Sequence, residues 1–274
     1  MIPIYFINLN SSLARREWFE TQVKRLGLSA TRIKAYDGKE LSESELKKYN
    51  SGRTNKPPMG PAEIGNYLSH HRVWRIIQDG NHPWAFIAED DLHLASNSKP
   101  FFVNSKWIPR SADIVKAETT FRKCIRKDIS ASYAGRSIQQ LLSSHGGTGG
   151  YFVSKTATTL LVEAMARHTC DFTDHILFSP NHEVFGKLRV FQIDPAISLQ
   201  HIFFSGKIPG FEKSNLENDR NRRGKTNMLY RLQREIVRPC YRIKSYLENA
   251  VQARKMDATY SRVKYYDTHE MSSR

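Results

Sequence analysis

Three carboxylates stand side by side at Glu89-Asp90-Asp91, directly after the apolar run Trp84-Ala85-Phe86-Ile87-Ala88. Adjacent carboxylates repel one another unless water solvates them or a cation is shared between them. A solvated acidic turn is the plain alternative. A buried strand ahead of the cluster would instead hold the acids rigidly at a sheet edge. Alternation then puts Glu89 and Asp91 on one face and Asp90 on the other. A hard divalent ion, Mg2+ or Mn2+, takes one or two carboxylates and completes its shell with phosphate oxygens and water, so the motif suits a phosphate-bearing substrate. A second feature, Gly146-Gly147-Thr148-Gly149-Gly150, either lets backbone approach a ligand closely or serves as a connector. No Gly-Lys-Ser/Thr follows it, which excludes a P-loop nucleotide hydrolase.

The elements that must position these groups follow from apolar periodicity. Ile4 to Ile7 reads as a buried strand ending at Asn8. Ser11 and Ser12 offer caps for a helix that buries Phe19, Val23 and Leu26 and stops at Gly27. Thr31 to Tyr36 reads as a second strand with an Asp37-Gly38 turn, Leu41 to Tyr49 as a short helix, and Asn50 to Gly60 as a loop. Glu63 to Gln78 reads as a helix whose stripe is Ile64, Leu68, His71, Trp74 and Ile77. Asp113-Ile114-Val115 is a further strand. Tyr151-Phe152-Val153 leads into a helix over Lys155 to Arg167, and Val190 to Ile193 and Ala196 to Leu199 supply late strands before His201. This alternation predicts an α/β layer structure around a mostly parallel sheet, in which ligands bind beyond the carboxyl ends of strands. Asn8, Asp37 and Glu89 to Asp91 all fall at such ends, consistent with one shared crevice.

The chain has 274 residues, 39% hydrophobic and 25% charged, a globular composition that argues against wholesale disorder. No apolar run reaches the roughly 18 residues needed to cross a bilayer. The start, Met1 to Phe6, reads as strand and not as a secretory signal. Cys124, Cys170 and Cys240 are odd in number and widely spaced, which disfavours disulfides or a Cys-based zinc site and suggests a reducing compartment. The net charge is +15. Residues 1–219 carry 28 basic and 22 acidic side chains, whereas residues 220–274 carry 14 and 5, so the last fifth holds more than half the excess. Within it Leu229, Leu232, Ile236, Cys240, Ile243 and Leu247 form an amphipathic stripe flanked by cations, with a kink expected near Pro239. That stripe fits a helix on an anionic membrane leaflet or one docked on the catalytic body. Thr259 to Arg274 is expected to fray.

Six short motifs occur in one order: Ile7-Asn8-Leu9 with Arg15-Arg16; Ala35-Tyr36-Asp37-Gly38; Glu63-Ile64-Gly65 with Ser69-His70; Glu89-Asp90-Asp91; Gly147-Thr148-Gly149-Gly150-Tyr151; and Thr173-Asp174-His175-Ile176-Leu177-Phe178. Over about residues 2–205 the chain resembles glycosyltransferase family 25, the lipooligosaccharide-type β-galactosyltransferases of bacteria. The resemblance implies a GT-A-like, Rossmann-type mixed sheet flanked by helices over residues 1–210, with residues 211–274 a basic, mainly helical extension. It also implies a UDP-sugar donor, a divalent metal (Mn2+ or Mg2+) at the acidic motif, and inversion at the anomeric carbon.

Carried over residue by residue, the resemblance gives Asp91 and Glu89 to the metal, with His201 as the late histidine that closes the site. Asp174 becomes the base that takes the acceptor proton, with Asp171 close enough to be the alternative. Asn8, Arg16, Asp37, Ser69, His70, Asp90 and Gly149 become donor contacts. The expectation is a metal-dependent inverting transferase that moves a hexose, most simply galactose, onto a lipid-linked saccharide of lipopolysaccharide or lipooligosaccharide. It would work in the cytoplasm, peripheral on the inner face of the membrane, with no nucleic-acid partner. A nucleic-acid-binding protein that uses the basic tail, or an inactive scaffold, is the competing class.

Overall fold

The computed structural model describes residues 1–51, 53, 57–167, 170–204, 211 and 244–267. Strand β1 (Ile4–Asn8) buries all but Tyr5, as expected of a central strand covered on both faces. Helix α1 (Leu13–Arg25) turns Phe19 and Val23 inward. Ser12 occupies its N-cap but makes no side-chain cap bond; the Asn8 amide instead donates to the Ser12 carbonyl at 3.0 Å. β2 (Thr31–Lys34) lies parallel to β1. α2 (Glu43–Asn50) starts with a capping box between Ser42 and Glu45. α3 (Pro61–Asp79) buries Ile64, Leu68, Trp74 and Ile77 as the periodicity predicts; His70 and Val73 complete the buried face, and His71 is only half-buried.

β3 (Trp84–Glu89), β4 (Leu92–Leu94), α4 (Pro100–Val103), β5 (Ile114–Lys116) and β6 (Glu118–Thr119) follow. Next come β7 (Lys123–Tyr133), β8 (Arg136–Leu141), β9 (Gly150–Ser154), α5 (Lys155–Arg167), α6 (Thr173–Phe178), β10 (Val190–Asp194) and β11 (Ser198–Gln200). A helix over residues 244–255 and strand β12 (Thr259–Arg262) end the described chain. Among the described residues, nine strands form one sheet in the order β12-β7-β8-β10-β5-β9-β3-β1-β2, and β4-β11-β6 form a second, smaller one.

The α/β mixed sheet is as expected, but it is not mostly parallel. Only β1–β2, β1–β3 and β5–β10 pair parallel; the other five pairings are antiparallel. Two features cause this. β9 runs antiparallel between β3 and β5, and β7 and β8 form a hairpin that the periodicity did not mark. The hairpin turns at Ala134-Gly135, both at positive φ, which suits a two-residue primed turn although Ala is not its usual first residue.

A hydrophobic core covers each face of the sheet. Ile7, Ala85, Ile87, Tyr151 and Val153 pack with α3, α5 and α6 on one side; Phe6, Phe86, Ala88 and Phe152 pack with α1 and α4 on the other. Strict alternation along β3 thus explains why the run before the acids is apolar at every position.

The expected fraying is corrected over residues 259–267, whereas residues 268–274 of that stretch lie outside the described residues. β12 pairs antiparallel with β7 at the sheet edge, Val263 is fully buried, Ala196 N donates to Lys264 O at 2.7 Å, and Ser96 Oγ donates to Asp267 at 2.6 Å. Tyr246, Leu247 and Val251 of the preceding helix are exposed and Ala253 is buried. Of the amphipathic stripe only Leu247 is described; Leu229 to Ile243, with Cys240 and Pro239, lie outside the described residues. Cys124 and Cys170 are buried free thiols. No described helix is long and apolar enough to cross a membrane.

Candidate active site

The three acids at the end of β3 diverge into three environments. Both oxygens of Glu89 are occupied: Oε1 accepts from Thr148 Oγ1 at 2.7 Å and Asn66 Nδ2 at 3.2 Å, and Oε2 accepts from Gln200 Nε2 at 2.9 Å. His70 Nε2 lies 3.4 Å from Oε1; its Nδ1 meets the Tyr151 hydroxyl at 2.9 Å, which also accepts from Trp74 Nε1 at 2.9 Å. An indole only donates and a carboxylate only accepts, so a single polarity runs from Trp74 through Tyr151 and His70 to Glu89. Burial pushes the Glu89 carboxyl up, but donation from His70, then Thr148 and Asn66, overrides it and holds the group below the usual carboxylate range.

Asp90 points to the opposite face, as alternation predicts. Its Oδ2 accepts from Asn8 Nδ2 at 2.7 Å, because β1 and β3 are neighbours with Ile7 opposite Glu89. Arg32 Nε donates to Asn8 Oδ1 at 2.8 Å, and Arg15 NH1 lies 3.5 Å from Asp90 Oδ1. Burial raises the Asp90 carboxyl, opposed by Arg15 and Asn8.

Asp91 is the uncompensated member. Its Oδ1 is enclosed without a hydrogen-bond partner, and burial, then repulsion from Glu89 and Asp90, pushes the carboxyl up. β11 runs antiparallel to β4 with Gln200 opposite Leu92, so His201 arrives beside Asp91 and donates its backbone N–H to the Asp91 carbonyl at 2.9 Å. The His201 ring turns elsewhere: Nδ1 lies 3.0 Å from His93 Nε2, and the two rings stack with centroids 5.3 Å apart. Burial, then His201, holds His93 down at about 4.

These neighbours decide what the acids offer a metal ion. Among the described residues no group of three or more His, Cys, Asp or Glu is gathered to hold one. Glu89 is saturated by side-chain donors, and His201 meets Asp91 through its backbone. The orphaned Asp91 oxygen does fit a cation that takes one protein carboxylate and draws its remaining ligands from substrate phosphate and water. The residues suit a cation shared with a substrate, not a cage built from protein alone.

The glycine loop faces the acids. Gly147 N donates to Asp174 Oδ2 at 3.3 Å, Thr148 reaches Glu89, and Gly149 N donates to Glu118 Oε1 at 2.8 Å. A Cβ on Gly149 would stand 2.5 Å from Gln200 Cγ and 2.6 Å from Glu118 Oε2, so the loop seats on these groups only without side chains. Asp174, half-buried in the first turn of α6, therefore lies across the loop from Glu89. Thr173 Oγ1 donates to Asn66 Oδ1 at 2.9 Å, and Asn66 donates to Glu89, a second bridge from α6 to the acidic motif. Asp171 is buried and pairs instead with Arg53 NH1 at 3.0 Å.

Of the expected donor contacts, Asn8 bonds Asp90, the Gly149 carbonyl accepts from Glu89 N at 2.8 Å, and His70 lies directly behind Glu89, so these four stand at the acidic motif. The others have local duties. Arg16 pairs with Glu20 at 2.9 Å along α1, and Arg15 is the arginine that faces Asp90. Asp37 accepts from Lys39 N at 3.0 Å in its turn. Ser69 Oγ accepts from Tyr36 N at 2.9 Å and donates to Gly65 O at 2.6 Å, pinning the loop after β2. Five participants went unmarked: Asn66, Lys116, Glu118, Thr148 and Gln200. Thr148 sat inside the quoted glycine motif, and Gln200 stands directly before His201. Lys116 and Glu118 follow Ile114-Val115 just as the acids follow β3, and the same strand-then-charge rule finds them.

A profile of the family described as glycosyltransferase family 25 (LPS biosynthesis protein) matches residues 1–176. Lacto-N-neotetraose biosynthesis glycosyltransferase LgtE of Neisseria meningitidis serogroup B is 29% identical over 173 residues, 59% of this chain and 61% of that protein, so the chain spans less than two thirds of its length. LgtE of Neisseria gonorrhoeae is 26% identical over 79% of this chain and 81% of its own. Lipooligosaccharide biosynthesis protein lic2B of Haemophilus influenzae is 25% identical over 72% and 75%.

Proposed function

The chain belongs to glycosyltransferase family 25, and from that premise we propose that it moves a hexose, galactose first, from a UDP-sugar onto a saccharide of lipopolysaccharide or lipooligosaccharide, with inversion, at the acidic motif, with Asp91 on the donor side and Asp174 on the acceptor side. The observation that carries this is the Asp91 Oδ1, a buried carboxylate oxygen with no partner at the mouth of a hydrogen-bonded acidic motif. Ionising a carboxyl buried without a partner is costly, which pushes Asp91 up to about 8, and a site that supplies the partner only when substrate arrives converts that cost into recognition. Asp91 would hold a divalent ion, Mn2+ or Mg2+, which when bound supplies Lewis-acid stabilisation to the departing UDP.

The chain's own residues do the rest. Glu89, kept ionised by its donors, holds a fixed negative potential beside Asp91. Asn8 and Asp90, locked together with Arg32 and Arg15 behind them, offer polar edges to the nucleoside or sugar. Asp174 takes the proton from the acceptor hydroxyl; that oxygen forms the new bond to the anomeric carbon as the bond to UDP breaks and its electron pair leaves on phosphate. The excess charge over residues 220–274 supports a tail held at an anionic leaflet, where a lipid-linked acceptor lies, which would place the enzyme at the inner face of the cytoplasmic membrane.

The test is a panel of UDP-sugars with Mn2+ or Mg2+, scored by thermal stabilisation and UDP release. At least one sugar nucleotide is expected to do both in the wild type. Asp91→Asn, which removes the ionisable carboxyl at constant shape, should keep or raise the melting temperature and lower turnover by about 100-fold or more. A panel with no response, or full turnover by Asp91→Asn, defeats the proposal.

A further inference from the structure

Lys116 and Glu118 are both fully buried, Lys116 at the end of β5, which β9 separates from β3 and its acidic motif, and Glu118 at the start of β6; they are part of neither expected site. Lys116 Nζ donates to Glu118 Oε1 at 2.9 Å and to the Gly147 carbonyl, and it lies 4.0 Å from the centroid of Phe178. Glu118 Oε1 also accepts from Gly149 N at 2.8 Å. The pair thus grips the glycine loop at two points and touches the last residue of α6. What the loop carries between those points is decisive: the Thr148 hydroxyl goes to Glu89 at 2.7 Å and the Gly147 N–H goes to Asp174 at 3.3 Å.

Stability does not explain the pair. Taking two charges out of water costs more than an apolar pair of similar volume would, and Glu118 Oε2 is left buried without a partner. Retaining it makes sense if the geometry it enforces is the benefit. Catalytic groups must be held to within about 0.5 Å by neighbours that are themselves fixed.

We propose that Lys116 and Glu118 are positioning residues, a buried hub that fixes Glu89 and Asp174 relative to one another through the Gly147-Thr148-Gly149 loop. The proposal rests on reading the acidic motif and the glycine loop as a transferase site. It assigns neither residue a contact with substrate. It predicts that the loop loses its register when either charge is removed, while donor binding at the Asn8–Asp90 side persists.

The experiment compares the full-length wild type with Glu118→Gln and Lys116→Met. Amide hydrogen exchange is read at Gly149 and, as a control, across Val190–Ile193; kcat and KM are measured for the UDP-sugar that the panel identifies, and Kd for UDP. Exchange at Gly149 should accelerate about tenfold or more with the control strand unmoved. The turnover number kcat should fall about tenfold or more, with the UDP Kd held within about twofold. A role in stability alone would lower the melting temperature and leave kcat of the folded enzyme at the wild-type value. That result, or unchanged protection at Gly149, overturns the proposal. Should both variants fail to fold, Thr148→Val carries the same test, since it keeps the shape and removes only the link to Glu89. Its kcat should fall at an unchanged melting temperature, and wild-type kcat would overturn the hub. A wild type that releases no UDP defeats the transferase reading and the positioning role with it, whereas turnover that the variants leave unmoved defeats the positioning role alone.

Discussion

Asp171 and Asp174 are one helical turn apart in sequence, and their surroundings assign them opposite consequences. Asp171 and its partner Arg53 have side chains only 4% and 3% exposed, joined at 3.0 Å. Arg53 NH1 also donates to Cys170 O at 2.8 Å, so the guanidinium stays in place when its counter-charge is removed. Asp171→Asn then leaves a buried cation unpaired, at about 3–5 kcal/mol. For a chain of this size each kcal/mol moves Tm by roughly 2–4 °C, which places the expected loss near 10 °C. Asp174 is half-buried and accepts one long bond, from Gly147 N at 3.3 Å. Its replacement by Asn should cost about 1 kcal/mol or less and move Tm by at most about 4 °C. Turnover should show the reverse. Loss of a general base lowers kcat about 10²–10⁴-fold in Asp174→Asn, whereas folded Asp171→Asn should remain within about threefold of wild type. Scanning calorimetry and steady-state UDP release, measured well below both melting points, read the two quantities. The double replacement Arg53→Met with Asp171→Leu should recover most of the lost stability, because an apolar pair replaces the ions. A dead Asp171→Asn with an unshifted Tm, beside a fully active Asp174→Asn, would refute the assignment.

Two other perturbations test the frame around the site. His145 is buried, with Nδ1 2.9 Å from Gln192 Oε1 and Nε2 facing Thr120 N at 3.5 Å; burial, then Lys116, holds it down at about 3 against an ordinary 6.5. Its folded pKa lies below the unfolded one, so its contribution is whole above pH 6.5 and is lost as pH falls toward 3, reaching about 2 kcal/mol by pH 5. Denaturant titrations at pH 7.5 and pH 5 should show a smaller acid loss for His145→Gln than for the wild type, and equal slopes would refute this. Deleting residues 257–274 removes β12, the buried Val263 and the partners of Arg126 at Ser261 and of Arg136 at Tyr266. Tm should fall by about 10 °C or more, and a fall under about 3 °C would show the edge strand to be dispensable.

Much of the scaffold was legible because it depends on local composition. Ile4 to Ile7 and Trp84 to Ala88 are apolar at every position, which only a strand buried on both faces satisfies, and Lys155 to Arg167 matches α5 to the residue. The charge after β3 marked the site for the same reason, since a carboxylate at the end of a buried strand must be compensated nearby. The β7–β8 hairpin escaped because one of its faces is exposed and its turn is Ala-Gly, so neither apolar density nor turn chemistry announces it.

What the linear order could not supply was which side chains meet. Arg15 and Arg16 read alike, but neighbours on a helix are about 100° apart, and only the seating of α1 on the sheet turns Arg15 toward Asp90 and Arg16 toward Glu20. Glu89 reads as the natural companion of Asp91 at a metal, yet the pairing of β11 with β4 and the packing of α3 deliver Gln200, Asn66 and His70 to it from distant stretches of chain and consume both its oxygens. The sequence therefore determined that acids would stand at a strand end. Whether each acid is satisfied or left open was settled by strand register and helix packing, because a buried charge is governed by partners within a few ångströms of space and not by its neighbours along the chain.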